Sequence, residues 1–158
     1  MKKTLTFFLI FLLSFFSACG VENSNALSSE KKGESIMKIK IEITSDSGNN
    51  SLTAVLSDNS SAAAFYNLLK KGPLTVSMQD YGSFEKVGSL GTSLPRNDTQ
   101  ITTSAGDIIL YQGNQITIYY DKNSWNFTRL GKVEGVSQAE LKKILGKGNV
   151  TAIFSVEN

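Results

Sequence analysis

Apolar and polar residues alternate over much of the chain beyond residue 37, which is the spacing of half-buried β-strands. In residues 38–44, three isoleucines fall on one face and the lysines and the glutamate on the other. Further apolar runs of strand length lie at 52–56, 74–78, 107–111, 115–120, 125–133 and 150–156. The pattern predicts a mainly β fold.

Two segments show a helical spacing of apolar residues instead. The first follows Asp58 and Ser60, either of which can cap it, and it ends at Gly72-Pro73. Glycine suits the left-handed cap and proline cannot continue a helix. The second begins with Ser137 and has Glu140 three residues later, which is the spacing of a capping box. We therefore expect two short helices.

The segment 80–106 has weak periodicity and many Gly, Ser, Asn and Thr residues, so it is expected to be long and partly irregular, and loops of this kind often carry function. Directly after it, Gln112-Gly113-Asn114 separates two apolar runs, which predicts a hairpin. About eight short strands and two helices in roughly 120 residues indicate a closed or nearly closed β-barrel.

The first residues of the chain have the layout of an export signal. Met1-Lys2-Lys3 is basic, residues 5–16 are apolar, and small residues precede Cys19. The apolar run is shorter than the ~20 residues that a membrane-spanning helix needs. The junction Phe16-Ser17-Ala18-Cys19 resembles the lipobox of bacterial lipoproteins, with Phe16 in place of the usual Leu. A secreted protein or an uncleaved anchor with an incidental cysteine is the alternative.

The lipoprotein resemblance implies a division of the chain into three parts. Residues 1–18 would be a signal peptide, 19–36 a flexible polar tether, and 37–158 the folded domain. Cys19 would carry diacylglycerol and an acyl group such as palmitate, so a membrane is the expected partner. The expected location is the bacterial cell envelope, on the outer side of the cytoplasmic compartment.

Composition excludes much chemistry. The chain has no histidine and one cysteine, which removes most acid–base and nucleophilic mechanisms, a disulfide framework and the usual zinc clusters. The net charge of +2 comes from Lys2 and Lys3 and disappears if the signal is cleaved. We expect a monomer with no cofactor, no metal and no nucleic-acid partner.

Three short motifs carry a family resemblance. They are Gly88-Ser89-Leu90-Gly91 with Leu94-Pro95, then Ala105-Gly106-Asp107-Ile108, and then Leu130-Gly131-Lys132-Val133. Their order and spacing resemble the cyclophilin-like fold, and in particular small bacterial cyclophilin-like domain proteins, from about residue 38 to the end. The resemblance implies a closed β-barrel of about eight strands with two short helices. The resemblance also implies a candidate activity, that of classical cyclophilins, which isomerise Xaa-Pro bonds in an outer cleft.

The classical catalytic residues are mostly replaced in this sequence. Alignment on Pro95 puts Thr92 where the family has its catalytic arginine, whereas Gln100 matches the family's glutamine. Phe127 occupies the position of the family's histidine, and Arg96 is the nearest arginine. Arg96 and Gln100 are therefore the only candidate catalytic residues.

Other candidates each have a plainer alternative. Trp125 and Phe127 either line a ligand cleft or belong to the core. Arg96 and Arg129, the only arginines, either clamp a carboxylate or carbonyl of a ligand or form surface ion pairs. The dispersed acids are expected to be solvated loop or turn residues; they are Asp80, Glu85, Asp98 and Asp107.

These observations favour a lipid-anchored binding module of the envelope that holds a peptide or small ligand without turnover. A weak peptidyl-prolyl isomerase acting on exported proteins is the alternative. A structural envelope protein without a ligand is a third reading.

Overall fold

Nine strands and two helices follow one another in residues 36–157, the part of the chain that the computed structural model describes. The strands are β1 (Lys38–Ser45), β2 (Gly48–Leu56), β3 (Leu74–Tyr81), β4 (Glu85–Ser89), β5 (Thr99–Thr102), β6 (Asp107–Tyr111), β7 (Gln115–Tyr119), β8 (Ser124–Val133) and β9 (Val150–Val156). Helix α1 (Ser60–Leu69) joins β2 to β3, and helix α2 (Gln138–Leu145) joins β8 to β9. The predicted signal peptide, Cys19 and the tether up to residue 35 lie outside the described residues and stay predictions.

Eight of these strands form a closed antiparallel barrel. Their order is β2-β1-β9-β3-β4-β7-β6-β8, and β8 pairs back with β2. Gly131 stands opposite Leu56 where the barrel closes, and a Cβ at Gly131 would lie 2.5 Å from the carbonyl oxygen of Val55. A side chain at this position would therefore push the two closing strands apart. The predicted mainly β barrel with two short helices is confirmed.

The barrel interior follows the alternation seen in the sequence. Ile39, Ile41 and Ile43 are fully buried in it. Helix α1 adds Phe65, whose ring meets the edge of the Phe154 ring at a centroid distance of 5.8 Å. Helix α2 adds Leu141 and Leu145, which lie one helical turn apart and are both buried. Burial of these apolar side chains supplies the main drive for folding.

A second and smaller apolar cluster lies on the outer side of the same strands. On β6, Ile108 belongs to the interior cluster and its neighbour Ile109 to the outer one. The same alternation on β7 and β8 places Tyr119 and Phe127 in the outer cluster. Strand β5 stands outside the barrel, where it pairs with the first half of β8. The outer side of β4, β7, β6 and β8 is thus partly covered, and the candidate site lies there.

One local prediction was wrong and two were confirmed. The N-cap of α1 is Asn59 rather than Asp58 or Ser60, because the Asn59 carboxamide oxygen accepts a hydrogen bond from the Ala62 amide at 2.9 Å. The segment 80–106 is partly irregular as predicted, and it also holds the strands β4 and β5, which are too short to show a period of two in the sequence. The capping box of α2 is present as predicted, with Ser137 and Glu140 bonded in both directions.

Between residues 36 and 157, no helix has the length and apolar character needed to cross a membrane.

Candidate functional site

An aromatic pocket of about 320 Å³ opens on the outer face of the barrel over β4, β7, β6 and β8. Five of the residues that line it are aromatic: Tyr81, Tyr111, Tyr119, Trp125 and Phe127. Tyr119 and Phe127 are buried and form its floor. Tyr81 and Trp125 are 61% and 60% exposed and stand at its edge. Large aromatic side chains are seldom this exposed without a partner, and here two of them border one cavity.

The rings are held by one another. Tyr81 meets Phe84 edge-on at 5.9 Å between centroids, and Phe84 stacks on Tyr119 at 6.0 Å. Tyr119 contacts Phe127 at 5.7 Å, and Phe127 contacts Tyr111 at 6.3 Å. Distances of this order are the favoured range for aromatic pairs. Four of the five lining rings are therefore held in one continuous chain of ring contacts, and Trp125 stands outside that chain.

A tight turn between β3 and β4 positions the first of these rings. Gly82 and Ser83 both have a φ of 59°, the pair of left-handed residues that a type I′ turn requires. The Phe84 amide donates to the Tyr81 carbonyl at 3.3 Å. A Cβ on Gly82 would collide with the Phe84 ring. The Gly-Ser dipeptide between two aromatic residues is the sequence signal that would have located this hairpin.

Glu85 supplies the one carboxylate of the aromatic pocket. It stands directly opposite Tyr119 across the β4–β7 pairing, is only 7% exposed, and leaves its Oε2 atom without a hydrogen-bond partner among the described residues. Burial raises the pKa of Glu85, and the Tyr119 hydroxyl acts against that rise. Burial and the nearby Glu85 in turn raise the pKa of Tyr119 above its usual range. The expectation of a solvated acid at Glu85 was wrong, because Glu85 lies opposite Tyr119 of the ring cluster and is buried there.

A second concavity, the polar groove, has a volume of about 460 Å³ and lies beside the aromatic pocket. Its polar lining includes Arg96, Asp98 and Gln100. The Arg96 Nε donates to the Asp98 carboxylate at 2.8 Å, and the Thr128 hydroxyl donates to the same carboxylate. Arg96 and Thr128 together lower the pKa of Asp98. The ion-pair alternative for Arg96 therefore describes its contact in this structure.

Tyr111 and Trp125 line both concavities, so the aromatic pocket and the polar groove share a wall. Of the residues singled out in the sequence, Arg96, Gln100 and Trp125 meet in the polar groove, and Trp125 and Phe127 meet in the aromatic pocket. Phe127 reaches only the pocket. Four of the sequence candidates, Arg96, Gln100, Trp125 and Phe127, thus lie on one continuous surface, and Trp125 belongs to the wall that its two parts share.

A family model described as the cyclophilin-like family matches residues 45–155, which is more than half of the chain. The chain belongs to the cyclophilin-like family. Among curated proteins, no sequence match was found. The resemblance stated from the sequence motifs is confirmed, and its lipoprotein part stays a prediction.

The solution structure of a hypothetical protein from Archaeoglobus fulgidus shares the cyclophilin-like fold of this chain. The TM-score is 0.54, and the match covers 79% of this chain and 99% of that one. The two sequences are 12% identical. At that identity the likeness concerns the fold alone.

Arg129 lies apart from both concavities of this cyclophilin-like domain. Its guanidinium is 3.1 Å from the carboxylate of Asp107, which is also 3.1 Å from the Lys132 ammonium. Asp107 is buried and accepts a hydrogen bond from the Ser104 amide at 2.8 Å. The prediction of a solvated acid at Asp107 was wrong. Asp107 is the first residue of β6, and its buried carboxylate pairs with Arg129 and Lys132 of the neighbouring strand β8. Arg129 is thus part of an ion-pair cluster and does not line the cleft for which it was a candidate.

The described residues contain no cluster of acidic or cysteine side chains that could hold a metal ion. The chemistry available at the site is therefore that of aromatic faces, one buried carboxylate, amide groups and the Arg96–Asp98 pair.

Proposed function

We propose that this chain is a membrane-anchored envelope lipoprotein whose cyclophilin-like domain binds a peptide or small ligand without turnover. The observation that carries the binding part is the aromatic pocket with two exposed rings at its edge. Its volume lies at the lower end of the ~300–1,000 Å³ typical of ligand sites. A preformed pocket of this kind binds at a low entropic cost, because its rings are already ordered.

The case against catalysis rests on what stands at the classical positions. Thr92 is an exposed residue in the segment between β4 and β5, and its hydroxyl cannot supply the positive charge of an arginine. Phe127 has no donor for a prolyl amide. Arg96 is engaged with Asp98, so its guanidinium is partly neutralised. Electrostatic stabilisation of a twisted amide needs free and oriented donors.

Binding is testable by the emission of Trp125, the only tryptophan of the chain. We expect a saturable change in its fluorescence on titration with short unstructured peptides. Tyr81→Ala should weaken binding about tenfold, because it removes one edge of the pocket. Tyr66→Ala is the matched control, since Tyr66 lies on α1 outside the pocket. A flat titration with every peptide would refute the binding proposal.

The isomerase alternative has one observation in its favour, since Arg96 and Gln100 line the same groove. Prolyl isomerisation breaks no bond, so a few positioned donors can accelerate it. A protease-coupled assay on proline peptides tests it. Acceleration that is lost in Arg96→Ala or Gln100→Ala would establish the isomerase and overturn the non-catalytic proposal.

Lipid anchoring at Cys19 is supported by the basic start, the apolar run and the small residues before the cysteine. Cleavage before Cys19 and acylation would hold the domain on a membrane, because two or more acyl chains bind far more firmly than one. Cys19→Ser should abolish processing and release the protein from the membrane fraction. Unchanged processing and membrane association in this variant would refute the anchor.

A further inference from the structure

We propose that the aromatic pocket binds an organic ammonium group, with the Glu85 carboxylate as its counter-charge. This inference rests on the ligand-binding function proposed above and names the chemical class of the ligand. Two sources carry this group: the side chain of a lysine in a peptide, and a free alkylamine.

The aromatic lining provides the first requirement of an ammonium site. Aromatic faces attract cations within about 6 Å of the ring centroid, and cages of several rings are a recurrent solution for organic ammonium ligands. Tyr81 and Trp125 stand at the edge, and Tyr119 and Phe127 form the floor. A cation entering between the two exposed rings would therefore meet aromatic surface on several sides.

Glu85 provides the second requirement. A carboxylate that is more than nine-tenths buried normally has each oxygen paired, because an unpaired buried charge is costly. Glu85 Oε2 is buried and has no partner among the described residues, and Glu85 is one of the residues that line the pocket. The Tyr119 hydroxyl acts against the rise in the Glu85 pKa that burial causes. An ammonium group beside this carboxylate would supply the opposite charge and a hydrogen-bond donor.

The domain itself does not supply this cation. None of the residues that line the pocket is a lysine or an arginine. The next residue, Lys86, faces the other side of β4 and donates to Asp80 at 2.7 Å. Within residues 36–157, the ion pairs found do not include Glu85. The pocket therefore has a net negative charge when Glu85 is ionised, which disfavours anionic ligands and favours a cationic one.

The test follows Trp125 emission during titration at constant ionic strength and neutral pH. The small-molecule probes are n-butylammonium chloride and, as its neutral counterpart, n-butanol, with sodium chloride as the salt control. The peptide probes are a short capped peptide with one lysine and the same peptide with that lysine acetylated. We expect saturable changes with the two ammonium probes and at least tenfold weaker binding of the acetylated peptide and the alcohol.

Two variants assign the effect to the carboxylate. Glu85→Gln keeps the shape of the side chain and should remove the tenfold preference for the free lysine. Glu134→Gln makes the same change at an exposed glutamate outside the pocket and should preserve the preference. Far-UV circular dichroism checks the fold of both. Should Glu85→Gln fail to fold, Tyr81→Ala replaces it, and we expect at least a fivefold loss for n-butylammonium.

The outcomes separate this inference from the proposed function. Equal binding of the free and acetylated peptides would overturn the ammonium inference and leave ligand binding intact. Retention of the preference in Glu85→Gln would overturn the role of Glu85. The absence of binding by every probe would overturn both. Binding of n-butylammonium as tightly as the lysine peptide would identify the ammonium group as the whole determinant, and tighter peptide binding would identify a peptide ligand.

Discussion

Glu85 and Lys86 are consecutive residues of β4, and both are buried, yet the two sides of the strand treat their charges differently. The Lys86 ammonium is fully enclosed and donates to the Asp80 carboxylate at 2.7 Å, to the Gly148 carbonyl at 2.7 Å and to the Gly146 carbonyl at 3.2 Å. On the opposite face, Glu85 has one oxygen with no partner in the described part of the chain. The Lys86 ammonium thus has its hydrogen-bond and charge partners within the described residues, whereas the Glu85 carboxylate lacks part of its own.

The difference shows that burial alone does not separate a structural charge from a functional one. Burial tends to raise the pKa of Asp80, but hydrogen bonds from Lys86 and Tyr120 outweigh it and lower that pKa. The Asp80 carboxylate thus stays ionised, and the hydrogen bonds of Lys86 tie β3 and β4 to the loop after α2. At Glu85 burial prevails and the pKa is raised. An incompletely paired carboxylate beside a cavity lowers stability, which is common where a site serves a ligand.

The largest effect is expected on the side of Lys86. Lys86→Met should lower the free energy of unfolding by about 3 kcal/mol, because it leaves two carbonyls without a donor and the Asp80 carboxylate with the Tyr120 hydroxyl but no counter-charge. Urea denaturation measures the loss, with Lys40→Met as the control. Lys40 pairs with Glu42 on an exposed strand face, so that control should change stability by less than about 0.5 kcal/mol. A loss of stability in Lys86→Met as small as that in Lys40→Met would mean that the Lys86 cluster is not structural.

The sequence predicted the barrel well because its strands repeat one simple pattern. The three alternating isoleucines of β1 face the interior as expected, and Ser137 with Glu140 caps α2 as expected. These features depend on neighbours within a few residues. Barrel closure at Gly131 depends on two strands far apart in the sequence. The number of strands predicted a closed or nearly closed barrel, but no local pattern identified the residues at which it closes.

The candidate site was predicted in part. Trp125 and Phe127 were candidates either for a cleft or for the core; both line the aromatic pocket, and Phe127 is also buried in the outer cluster. The sequence predicts a solvated acid at Glu85, because the burial of Glu85 arises from the Tyr81–Phe84 turn and from Tyr119, which lies more than thirty positions later. No local pattern encodes that meeting. Contacts between distant strands decide which acid in a sequence is buried and which is solvated.

The next effect concerns Glu85 itself. A raised pKa in the folded state means that the protonated form is the one the fold prefers. The stability contributed by Glu85 is therefore fully present below its ordinary pKa of 4.5 and is lost as the pH rises through the raised value. Glu85→Gln should raise the free energy of unfolding at pH 7 by about 1 kcal/mol, because it removes an incompletely paired charge.

The gain should disappear below pH 4.5, where Glu85 is protonated in both states. Urea denaturation of both proteins at pH 7 and pH 4 measures the difference. Acids with lowered pKa values, such as Asp80 and Asp98, contribute less stability as the pH falls, and they do so equally in both proteins. Their contributions therefore cancel in the comparison. A gain of equal size at both pH values would contradict a charge-based origin.

The smallest effect on stability is expected at Trp125, where the effect on binding should be large. Its ring is mostly exposed, so Trp125→Ala should change the free energy of unfolding by no more than about 0.5 kcal/mol. It removes a wall that the aromatic pocket and the polar groove share, so calorimetric affinity for the lysine peptide should fall about tenfold. Trp125→Phe keeps an aromatic face and should retain most of the affinity. Since Lys86→Met should show the reverse, with low stability and unchanged affinity in the folded protein, the two variants together would separate the charge that organises the fold from the surface that meets a ligand.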